Sequence, residues 1–66
     1  MISALQCRAA RALVEITRGK LSLRSGVDEK VIHDFERQIS KPDDRIIETL
    51  RSTLEDFGAV FIGENG

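Results

Sequence analysis

The sequence predicts an all-α fold, a compact four-helix bundle ending in a short C-terminal β-strand. Apolar residues recur at spacings of three and four in separate segments, the period of helices with one buried face. Ser3, Thr17, Asp28 and the pair Asp43–Asp44 stand before these segments, placed to accept hydrogen bonds from the backbone N–H groups a helix start leaves unpartnered. Gly26, Pro42 and Gly58 fall between or after the segments, where the chain has to turn.

The first helix opens at Ser3 and Gln6, which have the spacing of a capping box. Leu5, Ala9, Ala12, Leu13 and Ile16 follow at helical intervals and are expected to face the core, with Arg8, Arg11 and Glu15 on the other side. Thr17 is expected to cap a second helix over about residues 18–25, with Leu21 in the core and Ser22 and Ser25 as small contact positions. Gly19 weakens this helix by about 1 kcal/mol relative to Ala. Gly26 supplies the positive φ of a tight turn, Val27 packs inward, and Asp28 caps a third helix over about residues 28–37. Pro42 cannot continue a helix interior, and Asp43 or Asp44 caps the fourth helix. There Ile46, Ile47, Leu50, Leu54 and Phe57 share one stripe and Gly58 ends it.

The apolar run Ala59–Ile62 is too short for a helix and reads as a strand over about residues 59–62. A lone strand leaves its backbone groups without partners, so pairing with the same strand of a second molecule, as a homodimer, is expected. The alternative is that Val60 and Ile62 fold back onto the bundle.

Sixty-six residues make one domain, which buries only about 60% of the surface its unfolded chain exposes, so a second copy would add stability. A hydrophobic content of 41% is enough for a core and excludes a disordered chain. The net charge of −1 hides an asymmetry: residues 1–37 hold seven Lys or Arg against five acids, and residues 38–66 hold three against six. Near-neutrality argues against indiscriminate nucleic-acid binding. Cys7 is the single cysteine, as expected in a reducing compartment, and is read as a partly buried or surface helix residue. No apolar run approaches the roughly 20 residues that cross a bilayer, and no secretion signal is read at the N-terminus, so a cytoplasmic, nucleoid-associated location is expected. Neither catalytic machinery nor a cofactor is expected, since no nucleophile stands at motif spacing from a base. Nor is a metal, because His33 has no second His and Cys7 lies on another helix.

The third helix holds the sharpest functional signal. At 100° per residue, Val31, Ile32 and Phe35 share one side, while Lys30, His33, Asp34 and Arg37 share the opposite one. Glu29 and Glu36 lie on a flank, and Asp28 sits at the cap, where a carboxylate suits the positive end of the helix dipole. The outward face thus carries two cations, one carboxylate and a His, although the helix as a whole is acidic.

Arg11, Ile16–Thr17, Leu21, Ser22, Ser25–Val27, Ile32, Phe35–Arg37 and Pro42 together resemble the lambda-repressor-like (Cro-type, XRE-type) helix-turn-helix family over essentially the whole chain. The closing stretch from Leu54 is similar to small bacterial members in which a strand follows the last helix. The resemblance implies that the second and third helices form the motif, with the third in the major groove of double-stranded DNA. By position, Arg18 stands where the family usually has Gln, a residue that fixes backbone and base contacts. Glu29, Lys30 and Asp34 match base-reading positions, and Arg37 and Lys41 match phosphate contacts. Arg11 and Glu36 match a pair that ties the first helix to the third. The carboxylates suit a cytosine amino group and Lys30 or Arg18 suits guanine, while His33 is a plausible further DNA contact. Gly19, Leu23 and Gln38 depart from the family, Gln38 standing where a Gly often ends the third helix.

The function expected is a sequence-specific transcriptional regulator, a repressor acting as a homodimer on operator DNA. The alternative is a protein-binding module on the same fold (an anti-activator, an antitoxin-like regulator or an adaptor), anchored by Leu23 and Ala59–Ile62.

Overall fold

A computed structural model describes residues 1–63, which form four helices and no strand: α1 (Ala4–Leu13), α2 (Arg18–Ser25), α3 (Glu29–Glu36) and α4 (Asp44–Asp56). Each start follows local chemistry. Ser3 and Gln6 close the capping box of α1, Thr17 Oγ1 accepts from Lys20 N, Asp28 accepts from Lys30 N, and Asp43 accepts from Ile46 N. Gly26 takes φ +77° at the end of α2, and Ser22 Oγ donates to the Val27 carbonyl at 2.6 Å, fixing the turn into α3.

The other three helix ends share one construction. Ile16 N bonds back to Arg11 O, Ile39 N to Asp34 O and Ala59 N to Leu54 O, each with a shorter bond nested inside it. This is the Schellman arrangement, which needs a left-handed residue just past the helix. Glu15 (φ 58°), Gln38 (φ 60°) and Gly58 (φ 110°) occupy that position. The third helix therefore ends in the backbone shape a glycine would adopt, although a Gln stands there.

The core is a convergence of α2, α3 and α4 on Leu21, Ile32, Ile47, Leu50 and Leu54, all fully buried, and α1 closes it from one side through Cys7 and Ala10. Phe35 and Ile2 complete the cluster, and Val27 packs against it as expected. Phe57 caps α4 half-buried, its ring under the Lys20 ammonium at 5.8 Å and the Arg24 guanidinium at 5.2 Å. Cation–π attraction thus adds to the packing of α2 on α4.

Three expectations are corrected. The apolar stripe of α1 faces outward: Leu5, Ala9, Ala12 and Leu13 are exposed. The side turned to the core carries Cys7, Ala10, Arg11 and Val14, because small Cys and Ala let α1 sit close and Arg11 meets a buried carboxylate there. Cys7 is accordingly fully buried rather than at the surface. The strand at Ala59–Ile62 is also not formed. Within one chain no other edge is available to bond its backbone, so burial decides its course. Ala59 and Phe61 pack on the core while Val60 and Ile62 point out, the reverse of the folding-back alternative. No helix among the described residues is long and apolar enough to cross a membrane.

Candidate nucleic-acid interface

α3 presents its outer side between the turn at residues 26–28 and the loop that leads to α4. Its inner side is sealed, with Ile32 and Phe35 buried and Val31 partly so. Lys30, Glu29 and Arg37 are exposed on α3 or its cap, Lys41 is exposed in the following loop, and Arg18, His33 and Asp34 are half-buried. Six of these seven side chains lie along α3 and its loop; Arg18 opens α2 across the turn.

The acids of this segment differ in what holds them. Glu36 is fully buried, with Arg11 Nε at 2.8 Å from Oε2 and Arg11 Nη2 at 2.8 Å from Oε1, a two-pronged ion pair between α1 and α3. Cys7 Sγ donates to the same carboxylate at 3.4 Å. Burial first, then the Glu36 charge, pushes the Cys7 thiol up to about 12, so it stays protonated at neutral pH. Asp28 is committed to the α3 cap.

Asp34 is engaged twice, by His33 Nδ1 at 3.0 Å and by Lys30 Nζ at 2.9 Å. The hydrogen bonds from His33 and then from Lys30 hold its carboxyl below the usual carboxylate range, and the Asp34 bond raises Lys30 in turn. The side chain that the resemblance matches to a base-reading position is thus tied to its two neighbours. Glu29 is the exposed acid of α3 that makes no ion pair among the described residues. Its carboxylate reaches back to the first turn of α2, where a Cβ on Gly19 would lie 3.7 Å from Oε1, near the positive end of that helix.

Lys30 and Asp34 also border an open groove of about 460 Å³ whose floor is Val31, Pro42 and Ile46. The i, i+4 spacing of Lys30 and Asp34 is legible in the sequence. Sequence reasoning missed the Lys20 and Arg24 stack on Phe57, which no local signal marks. Among the described residues, no group of three or more His, Cys, Asp or Glu is placed to hold a metal ion. No family model matches the chain, and no curated protein matches it in sequence.

Proposed function

We propose that the chain is a sequence-specific DNA-binding transcriptional regulator of the lambda-repressor-like helix-turn-helix type, with α2, the turn and α3 as the motif. It acts as a homodimer that represses by occupying operator DNA. One observation carries the reading. Three of the acids that make α3 look unsuited to DNA are already engaged: Glu36 is buried against Arg11, Asp28, though exposed, caps the helix, and Asp34 is paired with Lys30 and His33. Lys30 and Asp34 offset each other, and Arg37 and Lys41 stand exposed with no ion pair among the described residues, with Glu29 as the remaining unpaired acid of α3.

In this reading Arg37 and Lys41 contact phosphates and set register, with Arg18 assisting from the start of α2. Lys30, held by Asp34, addresses a guanine edge, and Glu29 accepts from a cytosine amino group. His33 adds a contact beside them. Two copies address half-sites about 34 Å apart. A reading as a protein-binding module draws on a different observation, the 82% exposure of Leu23 on α2. Selection of bound sequences from random double-stranded DNA separates the two, because a protein-binding module enriches no motif.

Titration against an enriched site at several salt concentrations tests the residues. Lys30→Ala is expected to weaken binding and relax preference at one base pair. Arg37→Ala is expected to weaken binding across all sequences and flatten the salt slope by about 0.9. Unchanged affinity and slope in both variants would remove α3 from the interface.

A further inference from the structure

His33 Nδ1 lies 3.0 Å from Asp34 Oδ1, while Lys30 Nζ holds Oδ2 at 2.9 Å. These bonds, His33's first, keep the Asp34 carboxyl below the usual carboxylate range, so at neutral pH it is ionised and can only accept. The proton of the His33 contact therefore sits on Nδ1. A neutral imidazole has one N–H, which leaves Nε2 with a bare lone pair. That nitrogen makes no hydrogen bond among the described residues, and the His33 side chain is 40% exposed.

We propose that Asp34 is a positioning residue: it fixes the His33 ring so that His33 reaches a DNA phosphate only as the imidazolium, and the chain takes up a proton there as it binds. The proposal rests on the regulator reading, to which it adds a dependence on pH.

Position selects a phosphate as the partner. Glu29, His33 and Arg37 form one row of the helix at i, i+4 and i+8. The N-terminal residues of a recognition helix reach base edges, so the later turn, where His33 adjoins Arg37, meets the backbone. A phosphate oxygen and the Nε2 lone pair are both acceptors and repel each other. A proton from solvent bonds to Nε2 and is donated to the phosphate; no other bond changes. Asp34 on one side of the ring and the phosphate on the other favour the charged form, and by linkage the proton favours the complex. The charged groups around the ring leave this pairing in place. On α3, Glu29 and Lys30 stand a turn before it and Glu36 and Arg37 a turn after. α1 brings Arg11, spent on Glu36 and the Ile16 carbonyl, with exposed Glu15 following. α2 brings Arg18 at its start, while Lys20 and Arg24 lie over Phe57. His33 is also the single His of the chain, so a side-chain proton linkage near neutrality has one source.

Two measurements on the full chain test this. Ring ¹⁵N shifts of the free protein at about pH 8 are expected to show Nδ1 protonated and Nε2 bare, and Asp34→Asn is expected to shift the ring toward Nε2–H, because an amide can donate to Nδ1. Affinity for an enriched DNA site is expected to rise about threefold or more from about pH 7.5 to about pH 6, within the linkage limit of about tenfold per pH unit for each ring. His33→Gln is expected to abolish that rise and Asp34→Asn to reduce it. An Nε2–H ring in the wild type, affinity level across the interval, a rise retained in His33→Gln, or a tautomer and rise unchanged in Asp34→Asn would overturn the proposal. So would a His33-dependent fall in affinity on acidification, which would set the lone pair against a base amino group. A chain that enriches no DNA at either pH fails the regulator reading and this inference with it, whereas DNA binding without the His33-dependent rise fails this inference alone.

Discussion

Glu36 counts as surface charge in the composition, yet both its oxygens are held inside the molecule by Arg11, with the Cys7 thiol donating to one of them. Removing one member of such a pair strands a buried charge. Arg11→Ala is therefore expected to cost about 3–5 kcal/mol in urea unfolding, and Arg11→Lys to recover only part of it, since an ammonium cannot make the two-pronged contact. Cys7 adds a pH signature. Its thiol sits at about 12 in the folded chain against an ordinary 9.0. The native state keeps the full contribution of this group below about pH 9 and loses it as the pH rises toward 12, because the unfolded thiol gives up its proton first. The urea midpoint of the wild type is expected to fall more steeply over that interval than that of Cys7→Ala. Equal slopes would place the thiol in water.

Helix ends are the level at which this chain departs from the simplest rules. Glu15 and Gln38 take left-handed backbone conformations that glycine adopts without strain, at a cost of about 1–2 kcal/mol for a residue with a Cβ. Part of any gain from glycine is returned through the greater freedom of its unfolded chain. Gln38→Gly is expected to raise stability by about 0.5–1 kcal/mol, visible as a rise of several degrees in Tm for a domain of this size. Gln38→Ala should give no such gain, since the strain lies in the backbone. The starts of the helices obey local rules throughout, because a cap needs only an oxygen within three residues of the N–H it receives.

At the scale of the whole molecule, the core is five fully buried aliphatic side chains contributed by three helices. A domain this small has little stability in reserve. Leu50→Ala is expected to cost about 2–5 kcal/mol, enough to leave much of the chain unfolded at 25 °C, as loss of helical circular dichroism would report. The same smallness makes surfaces matter: the outward side of α3 and the exposed apolar side of α1 lie on a molecule only 25 × 23 × 18 Å in extent.

The sequence alone determined the four helices, their caps, the turn at Gly26 and the inward side of α3, since each depends on residues within a turn or two of one another. The buried tie between Arg11 and Glu36 was readable only through family resemblance, as its members stand 25 residues apart. Which side of α1 turns inward, where Cys7 sits and how Ala59–Ile62 runs were decided by tertiary structure. Leu5, Ala9 and Leu13 form as good a stripe as Cys7, Ala10 and Val14, and helical periodicity cannot rank them. The closeness of α1 to the core and the buried carboxylate waiting on α3 can.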